Sequence, residues 1–141
     1  MRRTMKIKAF VLFVVIAFQT AVKAQTVTEL QNKGDSLYLS AEYIHAVRLN
    51  MQDEHLEALR LLEDADSRIK RLMPIVTELS CLVEYSLTQT YRELKRYDDA
   101  IRLGEKMKKD YGMFYGVASK EYLDALYLLS FTYHSANNYP R

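Results

Sequence analysis

The chain holds one cysteine, two prolines, four glycines and no tryptophan. A lone Cys81 excludes an internal disulfide, so packing alone must hold any fold. It lies in the apolar run 79–83, which casts it as a small buried hydrophobe and not as a reactive thiol. With so few glycines and prolines there is little material for tight turns, and no window alternates β-branched with polar residues as a strand would. Catalytic patterns are also missing. His45, His55 and His134 are isolated, without a second ligand at metal-binding spacing, and no Ser-centred elbow is present. The run Gly112-Met-Phe-Tyr-Gly116 is aromatic and lacks the Lys-Ser or Lys-Thr that closes a phosphate-binding loop. These absences argue against an enzyme and against any metal or cofactor.

Acidic residues are absent from the first 24 positions, where five of the 20 Lys and Arg fall (Arg2, Arg3, Lys6, Lys8, Lys23). A basic start, the ten-residue apolar core Ala9 to Phe18, and small Val22 and Ala24 at the −3 and −1 places have the grammar of a secretory signal peptide over residues 1–24. Cleavage is expected between Ala24 and Gln25, which makes the protein exported, periplasmic or secreted. Ten apolar residues fall short of the roughly 20 that span a bilayer as a helix. No cysteine follows the core to carry a lipid. The remaining 117 residues suffice for one domain and carry 15 basic against 18 acidic side chains, a net charge of −3. The basic balance of the whole chain therefore belongs to the export signal, and nucleic acid drops out as a partner. The local basic runs 92–96 and 106–109 sit beside acids and read as solvated helix faces.

Apolar residues recur every three or four positions, as at Leu82, Val83, Tyr85, Leu87, Tyr91 and Leu94, so the fold class is all-α. Breakers divide the chain into helices at about 28–51, 54–72, 75–94, 97–110 and 117–136. Thr26-Val-Thr-Glu29 forms a plausible capping box for the first, Pro74 suits the opening turn of the third, and 112–116 is expected to be a loop. The acid pair Asp98-Asp99 meets the positive end of the fourth helix.

A shift of 42 residues superposes Tyr43, Tyr85 and Tyr127, then Leu49, Tyr91 and Tyr133, then His55, Tyr97 and Tyr139. The same shift lays Ala58-Leu-Arg-Leu-Leu-Glu63 on Ala100-Ile-Arg-Leu-Gly-Glu105, four identities in six. Leu87, Thr88, Tyr91, Tyr97 and Ala100, and again Leu129, Ser130, Tyr133 and Tyr139, resemble the signature of tetratricopeptide repeats, with the 42-residue spacing of the longer bacterial variety. The first unit matches less well, having His45 and Leu49 at signature places, and Gly34, Leu37, Tyr43 and Ala46 offer a competing register. The resemblance implies antiparallel helix pairs in a right-handed solenoid over residues 25–141. Its units fall at about 39–72, 81–114 and 123–141, the last cut short. It also implies that the chain is a truncated product or a fragment of something longer.

In such a family the first helix of each pair lines a concave groove. The residues that would face it for a peptide or protein partner are Tyr43, Tyr85, Gln89, Arg92, Tyr127, Phe131 and His134, with Val47, Asn50 and Met51 beside them. Chaperone-tail binders carry Lys and Asn on this face to hold a terminal carboxylate. Tyr85 and Gln89 stand there instead, so that specificity does not carry over. The implied function is a non-catalytic interaction scaffold exported across the inner membrane. The alternative is the sensory input region of a membrane-bound bacterial histidine kinase or transcriptional regulator, tethered only by sequence beyond Arg141. A weaker third possibility is an envelope-associated assembly factor.

Overall fold

A computed structural model describes residues 2–138. Tyr139, Pro140 and Arg141, where the third unit's turn aromatic was expected, lie outside the described residues. The described chain is helical throughout, with α1 (Arg2–Met51), α2 (His55–Leu72), α3 (Glu78–Glu93), α4 (Tyr97–Phe114) and α5 (Lys120–Asn138) and no strand. It divides into two compact units, residues 1–37 and 38–141.

In the first unit the expected helix start near residue 28 does not occur. The backbone is helical from Arg2 through the whole stretch, so no capping box can open a helix at Thr26, whose side chain lies outside the described set. The reason is local: no Gly or Pro stands between Phe18 and Leu30. The Thr20 hydroxyl turns inward on its own helix, donating to the carbonyls of Ile16 (3.1 Å) and Ala17 (2.9 Å). The apolar segment Met5–Lys23 counts 19 residues and is wholly exposed, long and apolar enough to cross a membrane. A signal sequence passes the same test. The ten-residue core read from sequence is therefore too short a measure, and a tether need not come from beyond Arg141.

The second unit repeats itself. α2 and α4 begin 42 residues apart, at His55 and Tyr97, and end 42 apart, at Leu72 and Phe114. α3 and α5 begin 42 apart at Glu78 and Lys120, and α1 and α3 end 42 apart at Met51 and Glu93. The spacing extends to single bonds. The Tyr91 hydroxyl donates to Glu63 Oε1 (2.7 Å) and the Tyr133 hydroxyl to Glu105 Oε1 (2.9 Å). The N-cap hydroxyls of Thr77 and Ser119 each accept from a backbone amide three residues on, at 3.1 Å. Ala58 and Ala100 are both fully buried, small side chains where neighbouring helices come together.

Two boundaries differ from expectation. Pro74 lies in an extended link, and α3 starts only after Thr77, whose capping box with Ser80 fixes the entry more firmly than a proline would. Gly112 is helical: α4 runs to Phe114 because its last turn packs on α5, where a Cβ on Gly112 would sit 3.3 Å from the Tyr122 ring. The chain turns only at Gly116, at φ +89.

α1 and α3 end alike, on a residue in the left-handed region, Asp53 and Lys95, both at φ 61. The next amide reaches back to a carbonyl five residues earlier, Glu54 N to Leu49 O (2.9 Å) and Arg96 N to Tyr91 O (2.8 Å). Asp tolerates this backbone better than Lys. Lys95→Gly is therefore expected to stabilise the fold by ~0.5–1 kcal/mol, after allowing for the freer unfolded glycine. An unchanged or lowered urea midpoint would refute the strain.

Two cores result. Leu39 and Ala46 of α1, Leu59, Leu62, Ala65 and Ile69 of α2, and Val83 and Leu87 of α3 form one; Cys81 of α3, Met107 and Tyr111 of α4, and Ala125 and Leu128 of α5 form the other. α3 serves both, and it also touches α5. The odd-numbered helices are thereby brought side by side on one face.

Candidate functional site

That face carries a cleft of about 570 Å³ between the end of α1 and α3. Tyr43, Val47, Asn50 and Met51 line it from α1, Tyr85, Ser86, Gln89 and Glu93 from α3, Asp53 from the turn between α1 and α2, and His55 from the start of α2. Tyr85 is half-buried, its ring 6.4 Å from Tyr111, which in turn lies 5.3 Å from Tyr115. Burial raises the Tyr85 phenol above its ordinary value, with Asp124 adding to the shift, so the hydroxyl stays a neutral donor and acceptor.

A polar chain fixes the other end of the cleft. The Thr90 hydroxyl gives its proton to the Ser86 carbonyl (2.7 Å), so its oxygen can only accept from Asn50 Nδ2 (2.8 Å). Asn50 thus turns its Oδ1 to His55 Nδ1 (2.9 Å), and that imidazole nitrogen carries the hydrogen. On a neutral ring Nε2 is then left as an acceptor, 3.7 Å from Asp53 Oδ1.

The expected groove residues fall into two groups. Tyr43, Tyr85 and Gln89 share the cleft. Tyr127 does not stack with them. It is 73% exposed and lies parallel to Phe131, ring centres 6.4 Å apart, and the Arg92 guanidinium covers the Phe131 ring at 4.6 Å. His134 is exposed on the same helix. Arg92 is also no solvated cation, since its side chain is 14% exposed and Nη2 donates to Glu93 Oε1 (2.5 Å).

Glu84, which no sequence motif marks, is a buried acid of α3. It is 2% exposed, held by Lys106 through Oε1, while Oε2 has no hydrogen-bond partner. Lys106, exposed as expected for a solvated face, also pairs with the buried Asp110 (2.6 Å). Burial first, then Asp110, pushes the Glu84 carboxyl up to about 7 against the pull of Lys106. Burial pulls the Lys106 ammonium down, but the hydrogen bonds it donates to Asp110 and Glu84, with their charges, together hold it above its ordinary value. An analogous triad lies 42 residues earlier, where Arg68 reaches Glu42 (3.3 Å) and Asp64 (3.6 Å). The first-helix glutamate is kept, and the acid and the base on the second helix change places. Glu42 and Glu84 align at the repeat spacing inside otherwise apolar stretches, a signal present in the sequence.

Cys81 is fully buried, and desolvation raises its thiol to about 12, with Glu84 and Asp110 adding to the shift. Tyr111 donates to its carbonyl at 3.0 Å. Among the described residues no group of three or more His, Cys, Asp or Glu is placed to hold a metal ion. Compared with family models, curated proteins and solved structures, the chain matches none.

Proposed function

We propose that this chain is a non-catalytic interaction scaffold of tetratricopeptide type, holding an extended peptide or protein segment on the face shared by α1, α3 and α5. The observation that carries the reading is the cleft, with Tyr43 and Tyr85 on facing helices and the exposed Tyr127–Phe131 pair on the next helix. Phenols beside an amide and a hydroxyl suit a peptide, since they give contact area at low entropic cost and hydrogen bonds to a backbone. The 42-residue recurrence of helix bounds, caps and Tyr–Glu bonds supports the repeat family. The basic, apolar N-terminal segment supports export across the inner membrane, with removal after Ala24.

A photo-crosslinking side chain placed at Met51 or Gln89 in the native host should yield a discrete adduct, and one at Arg60 on the opposite helix none. Tyr43→Ala with Tyr85→Ala should weaken that partner by roughly 30-fold or more with helicity intact. Equal adducts from Arg60, or full affinity in the double variant, would sink the reading.

A second reading concerns location. Because α1 is apolar over 19 residues, the segment could stay as a membrane anchor. The intact mass of the envelope-derived protein separates the two: a chain starting at Gln25 supports export with cleavage, and a full-length chain supports the anchor.

A further inference from the structure

Resting on that reading, we propose that the α1–α3 cleft selects a cationic residue, the Lys or Arg side chain of an extended segment. Its lining holds two carboxylates, Asp53 and Glu93, and neither Lys nor Arg. A neighbouring cation, Arg92, is turned onto the Phe131 ring and pairs with Glu93 Oε1. Asp53 is 95% exposed at the turn, 3.7 Å from His55 Nε2, and the chain through Asn50 and Thr90 holds the other ring nitrogen. One end of the cleft therefore carries the Asp53 carboxylate beside His55 and Asn50.

The rest of the cleft matches the remainder of such a side chain. Tyr43, Val47 and Tyr85 give aromatic and aliphatic walls for a methylene stem, and phenol rings attract a cation over their faces. At about 570 Å³ it accepts a long side chain and its neighbouring backbone. A terminal carboxylate or an acidic segment would meet the Asp53 carboxylate, and Glu93 with Arg92 beside it, but no Lys or Arg in the lining itself.

The test uses the full chain, immobilised in a mild detergent, and an acetylated, amidated nonapeptide library. Its central residue is fixed in turn as Lys, Arg, Gln or Glu between degenerate flanks. The Lys and Arg pools should be retained at least ~10-fold better than the Gln pool, and the Glu pool least, with the advantage shrinking as salt rises. Asp53→Asn with Glu93→Gln should erase the preference for a cation while keeping residual retention; Asn is chosen because it accepts the backbone of residue 53. Tyr43→Ala with Tyr85→Ala should lower every pool. Retention without charge preference, still lost in the tyrosine variant, overturns this inference and leaves the scaffold reading standing. Retention unchanged in the tyrosine variant, or no retention of any pool, overturns both.

Discussion

Raising the pH from 5 to 8 should destabilise the folded chain by up to about 3 kcal/mol through Glu84 alone. The carboxyl has an ordinary value of 4.5 and is pushed to about 7 in the fold. Below 4.5 it is protonated whether the chain is folded or not, and the full contribution is present. Between 4.5 and 7 unfolding releases the proton, so stability falls as pH rises, and above about 7 the contribution is gone. The orphaned Oε2 explains why the proton stays, since a buried charge with half its acceptors empty is costly and Asp110 competes for the one ammonium. Urea unfolding from pH 5 to 8 measures the slope. Glu84→Gln should remove most of it and leave the variant more stable than the parent at pH 8. Lys106→Met should cost ~3–5 kcal/mol at pH 8, where two buried carboxylates then lack their counter-ion, and markedly less at pH 5. Identical slopes in parent and Glu84→Gln would remove Glu84 as the cause.

The second large effect concerns Gly104. Its repeat counterpart is Leu62, fully buried in the first core, yet at Gly104 a Cβ would sit only 2.7 Å from Leu129 Cδ1 and 3.6 Å from Thr88 Cγ2. α5 thus approaches α4 through the space that a leucine fills one unit earlier. Gly104→Leu should cost about 3 kcal/mol, at the upper end for overpacking. Leu129→Ala alone should cost ~2–5 kcal/mol by leaving a cavity. Combined, the two should cost clearly less than their sum, because the new leucine occupies the vacated space. Gly104→Ala is expected near neutral: a gain of about 1 kcal/mol in helix propensity is offset by moving the Leu129 tip. Strict additivity in the double variant would show that the two positions do not share that space.

Positions that rest on sequence spacing are legible before the fold. Helix ends near Met51 and Glu93 follow from polar turns and the one near Leu72 from Pro74, and the repeat shift puts Tyr43 and Tyr85 on one face of neighbouring helices. What escaped depended on neighbours. Gly112 looks like a breaker until Tyr122 packs on it, and Pro74 looks like a helix start until Thr77 caps the next one. Glu84 looks like a surface acid because its burial comes from α4, 22 residues downstream of it at Lys106. Tyr127 was placed on the right helix, but its stacking partner Phe131 lies one turn along rather than across the groove.

The solitary thiol on α3 supplies a clock. Cys81 is sealed by α4 and α5 and held protonated by burial, so an alkylating reagent can reach it only while that packing is open. The labelling rate of the unaltered protein therefore reports how often the C-terminal helices part, and it is blind to fraying of the Leu62 core on the other side of the same helix.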